Sequence, residues 1–327
     1  MQISGTLTRY GPAGPQVALV AGAAGATRAV VLVGGLTDGL LFAPYVAPLT
    51  EALSKRGWAA VHASLQSSWT GYGTGSLDRD AGDLRLLLGH LRRQHGITGV
   101  VLMGHSTGCQ DAVRYTQRYC SGGSSGDGRG GGAGSAGVAG GGGGGGGDGP
   151  QGAQQAAAAA EPQEGAEVVA ELLGSVLQAP VSDVEWLSSY PELGPVAARA
   201  AEMLAAGRGE EVCCRLHVAD SAPMSAARFL SLYSPGGDDD MFSEGLPQQQ
   251  LQRMFAAVGT RPCLLLVSGA DECVPARDQI VPRAEALQAV IGPRAVLRVV
   301  AGAPHNLSGC EVEAVEAVCA FLDGLEA

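Results

Sequence analysis

The sequence predicts an α/β protein with a mostly parallel central sheet, helices on its flanks and a helical cap inserted late in the chain. Two observations carry that expectation. Short apolar runs alternate with stretches whose apolar residues recur at helical spacing. At one of these junctions Gly104-His105-Ser106-Thr107-Gly108 separates the apolar run Val100-Val101-Leu102-Met103 from a helical pattern. A glycine on either side of one serine suits a strand-to-helix turn so tight that a neighbouring Cβ would clash.

The elements follow in order. Gln2 to Thr8 alternates like a strand, and Val30 to Val33 is a fully apolar strand ending at Gly34-Gly35. The next helix presents Val46, Leu49 and Leu53 on one face, and Trp58 to Leu65 supplies another strand. Leu84, Leu87, Leu88 and Leu91 mark an amphipathic helix capped around Asp78 to Asp80. Gly99 to Met103 then leads into Ser106. Val168 to Gln178 fits either helix or strand, with the strand placed at Ser175 to Gln178. Pro262 to Val267 and Ala295 to Val300 are apolar strands, and the last helix is expected to bury Val312, Val315, Cys319 and Leu322. The interval 186–261 is mostly helical in pattern and lies between two sheet strands, where a cap over an active site would be inserted.

These elements form one domain, over residues 1–120 and 166–327. The intervening segment, 121–165, is expected to be a disordered Gly/Ala-rich insertion. Of the 30 residues from Ser121 to Pro150, 18 are glycine, and Gln151 to Gly165 continues as Gln, Ala, Glu and Pro. Such a stretch has nothing to bury and loses much backbone entropy on ordering. Its flanks can still meet, because loop-closure entropy grows only logarithmically with length. Walker spacing and a following lysine are both missing, which argues against a phosphate loop.

Composition excludes several function classes. The 327 residues are 46% hydrophobic, ample for a buried core. A net charge of −11, with Lys55 as the only lysine, opposes binding to phosphate backbones, so nucleic acid is not an expected partner. No apolar run reaches the length of a membrane span. The N-terminus lacks the basic head and apolar stretch of a secretory signal, and eight cysteines without C-x-x-C spacing suit reduced thiols. The expected location is therefore cytoplasmic. Cys213, Cys214 and His217 do not make a tetrahedral donor set by themselves, so neither metal nor cofactor is expected.

A serine hydroxyl becomes a nucleophile when an imidazole takes its proton, and the imidazole needs a carboxylate to fix its tautomer. Around a strand–turn–helix nucleophile the order is serine, acid, then histidine, each beyond a strand end. His305, in Ala303-Pro304-His305-Asn306, follows the last strand and is the only histidine after His217. Asp271 follows the strand Pro262 to Val267, with Glu272 beside it and Asp183 after the preceding strand as alternative acids. An oxyanion needs two backbone N–H groups, expected from Thr107 and Leu36. His105 is expected to shape the pocket and Asp111 to complement the positive end of the following helix. Trp69 and Tyr72 could wall a pocket or simply pack in the core.

With those residues in place the chain resembles the α/β-hydrolase superfamily. More narrowly, it is similar to a family that includes fungal siderophore esterases of the fusarinine C type. The resemblance rests on Gly34-Gly35-Leu36-Thr37-Asp38-Gly39, Ser67 to Asp83, Leu102 to Asp111, Gln178 to Asp183, Ser268 to Pro275 and Pro304 to Gly309. It spans nearly the whole chain outside the insertion, which interrupts the family's usual continuity just after the elbow helix. It implies hydrolysis of small-molecule esters without a cofactor, through an acyl-enzyme, with Ser106, Asp271 and His305 as the triad. Acyl transfer on the same triad, or the same fold serving as a binding module without turnover, are the rival expectations.

Overall fold

The computed structural model describes residues 2–120 and 168–325; the segment 121–165, expected to be disordered, lies outside the described residues. Eight strands make the main sheet: β1 (Gly5–Arg9), β2 (Val17–Gly22), β3 (Arg28–Val33), β4 (Ala59–Ser64), β5 (Gly99–His105), β6 (Glu171–Gln178), β9 (Cys263–Ser268) and β10 (Ala295–Val300), in the order β1-β2-β4-β3-β5-β6-β9-β10. β2 pairs antiparallel with β1 and β4, and every other pairing in this sheet is parallel. Every residue of β4, β5 and β9 is buried, as expected of parallel strands covered on both faces.

Helices cover both faces. α1 (Val46–Lys55) and α9 (Glu311–Asp323) pack Leu49, Leu53, Val318 and Leu322 against Val30, Val101 and Leu264. On the other face α2 (Leu77–His95), α3 (Gly108–Tyr119) and α8 (Ile280–Ile291) pack Leu84, Leu87, Val113 and Ala284 against Val31, Leu102 and Leu265. Full burial of each such leucine is worth roughly 1.5–3 kcal/mol. No helix among the described residues is long and apolar enough to cross a membrane.

Between β6 and β9 the chain makes α4 (Asp183–Ser188), α5 (Gly194–Ala205), β7 (Val212–Leu216), β8 (Ala222–Ser225), α6 (Ala226–Tyr233) and α7 (Gln248–Phe255). This inserted segment has a core of its own, built on Leu187, Met203, Leu216, Met224, Phe229 and Leu232.

Four expectations need correction. The antiparallel pair β7 and β8 lies inside the interval read as mostly helical, because strands of five and four residues, one containing Pro223, carry too little periodicity to register. β6 begins at Glu171, ahead of Ser175. In α9 Cys319 and Leu322 are buried as expected and Val315 packs partly buried against the core, whereas Val312 is 66% exposed and Ala314, Val318 and Phe321 complete the buried stripe. The cap of α2 is Ser76, whose side chain accepts the Arg79 amide, while Asp78 and Asp80 occupy the first turn.

One polar junction ties the inserted segment to the sheet domain. Arg228 of α6 donates through Nε to the Tyr72 carbonyl (3.1 Å) and through Nη1 to Asp239 Oδ2 (2.5 Å). Its side chain and that of Asp239 are 3% and 0% exposed. Tyr72 Oη in turn donates to the Ala219 carbonyl (2.7 Å). Removing one charge strands the other in a low dielectric, so Arg228→Ala should lower the free energy of unfolding by about 3–5 kcal/mol, read as a drop in urea midpoint. Arg228→Met combined with Asp239→Leu should recover much of that loss, and a single-variant loss below about 1 kcal/mol would rule out a structural role for the pair.

Candidate active site

Ser106 sits between the end of β5 and the start of α3 with φ at 53°, a left-handed conformation that costs a serine roughly 1–3 kcal/mol. Close backbone approach explains the glycines around it. A Cβ on Gly104 would lie 2.1 Å from the Gly108 carbonyl oxygen, and one on Gly108 would lie 2.5 Å from the Val33 carbonyl oxygen. A Cβ on Gly35 would lie 2.7 Å from Ser106 Cβ and 3.2 Å from Ser106 Oγ, so the loop after β3 passes directly over the serine. The Ser106 amide donates to the Gln178 carbonyl at the end of β6 (3.0 Å).

The loops after β9 and β10 bring Asp271 and His305 together. His305 Nδ1 lies 2.9 and 2.8 Å from the two Asp271 carboxylate oxygens, with side chains 13% and 3% exposed. The other two acids contact different groups. Glu272 Oε2 accepts the His305 amide (2.8 Å), and Asp183 Oδ2 accepts from Gln110 Nε2 (2.7 Å). Burial alone would lower the His305 pKa, but the hydrogen bonds to Asp271 and Cys273 outweigh it and raise the pKa, so this pocket stabilises the imidazolium that forms once the ring accepts a proton. Its ring lies 4.9 Å from that of His105, the residue before the serine.

His105 is held from below. Its Nδ1 pairs with Gln178 Oε1, its ring stacks on Phe42 at 5.4 Å, and burial lowers its pKa to about 3, so it is neutral. The accepting Gln178 oxygen assigns the proton to His105 Nδ1. Gln178 Nε2 donates to Ser268 Oγ (3.3 Å) and to the His305 carbonyl (3.1 Å), and Tyr45 Oη donates to Gln178 Oε1 (3.3 Å). This fully buried glutamine was not singled out from sequence. Its signal was a polar side chain closing an otherwise apolar strand end.

Asp38 was missed as well. Its Oδ2 accepts the Gly35 amide (2.8 Å), which consumes that donor and fixes the turn carrying Thr37 at φ 67°. Burial raises the Asp38 pKa to about 6. The amides of Leu36 and Thr107, the residues after Gly35 and Ser106, have no acceptor among the described residues.

Other expected roles change. Asp111 is buried, and burial together with nearby Asp80 pushes its carboxyl well up, which works against the ionised form that a helix-end role needs. Tyr72 packs into the inserted segment, while Trp69 is 56% exposed and covers Gly39. His217 pairs with Glu192 (3.3 Å). A mostly apolar cavity of about 220 Å³ lies beside the acid, lined by Ala179, Val181, Met241, Phe242, Leu246 and Asp271 among others.

The model of a family described as a protein of unknown function (DUF1749) matches residues 1–323. The chain is 30% identical over 306 residues to a UPF0613 protein of Schizosaccharomyces pombe, covering 86% of this chain and 81% of that one. It is 29% identical over 287 residues to the fusarinine C esterase sidJ of Aspergillus fumigatus, covering 76% and 72%. Solved structures share its α/β-hydrolase fold. The siderophore hydrolase EstB from Aspergillus fumigatus superposes with a TM-score of 0.70 at 24% identity, over 99% of this chain and 98% of that one.

Asp183 offers a test by pH. Burial first, then Asp239, raises its pKa to about 7, against the opposing pull of Arg228 and His305. A carboxyl whose folded pKa exceeds its unfolded value near 3.9 binds protons preferentially in the folded state, so its ionisation removes stability as pH rises through that window. Asp183→Asn should therefore be more stable than the wild type at pH 8, by roughly 2–4 kcal/mol, with the gap narrowing toward pH 5. Thermal melts across that range check it; a constant or reversed gap would mean that Asp183 is stabilised as a carboxylate.

Proposed function

We propose that this chain, which belongs to that family of proteins of unknown function (DUF1749), is a carboxylic ester hydrolase using Ser106, His305 and Asp271 through an acyl-enzyme. The observation that carries the reading is the approach of both Asp271 oxygens to His305 Nδ1, on loops converging at the left-handed Ser106 turn. Relatives named as esterases support ester hydrolysis as the reaction class.

The chemistry follows from the proton positions. Asp271 accepts the Nδ1–H of His305, which leaves the Nε2 lone pair to take the Ser106 proton. As Oγ bonds to the ester carbonyl carbon, the carbonyl electron pair moves onto oxygen, where the Leu36 and Thr107 amides donate to it. Collapse of that intermediate expels the alcohol, which receives the proton from His305. Water then attacks the acyl-enzyme with His305 again as base, releasing the acid and restoring Ser106. Glu272 and Gln178 act on His305 through its backbone and so position the ring. The segment 186–261 serves as a cap, and the apolar cavity beside Asp271 takes an apolar limb of the ester.

Ser106→Ala should reduce hydrolysis of p-nitrophenyl acetate by roughly 10⁴-fold or more and abolish labelling by a fluorophosphonate probe. Labelling of the variant at the wild-type rate would end the assignment. Asp271→Asn should cost about 10⁴-fold in kcat, whereas Asp183→Asn should leave hydrolysis within a factor of about ten. Gly35→Ala places a methyl against Ser106, and kcat should drop roughly 100-fold or more. Wild-type turnover in that variant would place the oxyanion donors elsewhere.

A further inference from the structure

Cys273 has no part in the ester chemistry, yet it belongs to the same loop as the acid. Its amide donates to Asp271 Oδ1 (2.9 Å), which folds the chain so that its thiol turns back toward His305. One ligand atom from each of Asp271, Cys273 and His305 lies within 4.8 Å of the other two, and this is the one such group of three found among the described residues. Cys273 is a free, half-buried thiol. It lines the cavity beside Asp271, which gives an ion a path inward. The cavity wall also carries Glu185 and Glu244 with Arg283 between them (2.6 and 2.5 Å), one negative charge in excess.

We propose that Asp271, Cys273 and His305 form a regulatory binding site for a thiophilic divalent cation of the Zn²⁺ class, and that occupancy switches hydrolysis off; the regulatory part rests on His305 being the base for Ser106. A sulfur, nitrogen and oxygen donor set with an open fourth position for water suits Zn²⁺ or Cd²⁺, whereas Mg²⁺ and Ca²⁺ require oxygen ligands. Ligand atoms around a tetrahedral zinc stand about 3.3–3.8 Å apart, so the His305–Asp271 pair opens slightly and the thiol closes in.

The protons balance as follows. The cation bonds to the Cys273 sulfur and displaces its proton to solvent. It also takes the His305 Nδ1 lone pair, and the ring proton moves from Nδ1 to Nε2, so the imidazole stays neutral. Nε2 then carries hydrogen and has no lone pair with which to accept the Ser106 proton. The carboxylate that oriented the ring becomes a ligand. Inhibition therefore arises from the wrong tautomer, and the cation need not touch the serine.

The test titrates the full-length protein with CdCl₂ and follows the ultraviolet thiolate charge-transfer band, alongside inhibition of p-nitrophenyl acetate hydrolysis by ZnCl₂. Wild type and Ser106→Ala should each gain a one-equivalent band that Cys273→Ser and Cys273→Ala lack. The Zn²⁺ concentration that halves activity, normalised to each protein's own metal-free rate, should rise about 100-fold in Cys273→Ser. EDTA should restore the wild-type rate, and Mg²⁺ should leave it unchanged. An unaltered band in both Cys273 variants, or zinc inhibition of Cys273→Ser at wild-type concentrations, overturns the site. Full hydrolysis by Ser106→Ala would instead overturn the catalytic reading, while the cadmium band would still report on the cation site.

Discussion

At Ser106 the ends of β3 and β5 and the first turn of α3 run so close together that glycine backbones touch where side chains would otherwise stand. The Val33 carbonyl, the Gly108 backbone and the Gly35 Cα occupy the space around the serine. That crowding forces the turn, and the turn forces the serine into a left-handed conformation that it would not adopt unaided. The strain is offset by the Ser106 amide bond to Gln178 and by the parallel register that holds β3, β5 and β6 side by side. Everything chemical at the site is built outward from this junction.

Gln178 performs the second integrating task. Its main-chain carbonyl holds the Ser106 turn, while its side chain bonds His105, Ser268 and the backbone of His305. The ends of β5, β6 and β9 and the histidine loop are thereby registered to one buried amide. An amide can do this because it offers donors and an acceptor at once and carries no charge that burial would penalise. A carboxylate at the same place would be pushed toward protonation, as Asp183 is a few residues later.

The parts of the molecule that were legible in sequence are those with strong local periodicity or a spacing rule. The buried parallel strands read as unbroken apolar runs, and Ser106 and Asp271 each follow one of them; His305 follows β10, an edge strand in which Arg298 interrupts the apolar run. The convergence of these residues was inferred from chain order; the bonds between His305 and Asp271 appear only in three dimensions. What escaped was non-local. Gln178 and Asp38 matter through partners brought to them by folding, and nothing in their neighbours' identity specifies those bonds. Asp111 reads as a helix-end charge in sequence because what raises its pKa, its burial and the nearby charges of Asp80 and Asp239, comes from parts of the chain that no window around it contains. The misplacement of Val312 in α9 has a related cause: a valine at an exposed position mimics the periodicity of the buried ones.

The Arg228 junction bears on how the molecule can deform. A segment resting on a sheet domain through apolar contacts alone can swing as a rigid flap, because water readily covers what it exposes. Here the segment is riveted to the sheet domain through both ends of Tyr72, whose carbonyl accepts from Arg228 and whose hydroxyl donates to Ala219, and through the charges of Asp80 and Asp111 acting on Arg228. Lifting the whole segment would break both bonds to Tyr72 and draw the buried Arg228 guanidinium away from Asp80 and Asp111. Compliance is therefore confined to the stretch beyond the rivet, where Met241, Phe242 and Leu246 border the cavity. Access to the cavity beside Asp271 becomes a matter of local side-chain breathing along that short border and not of the swing of a hinge.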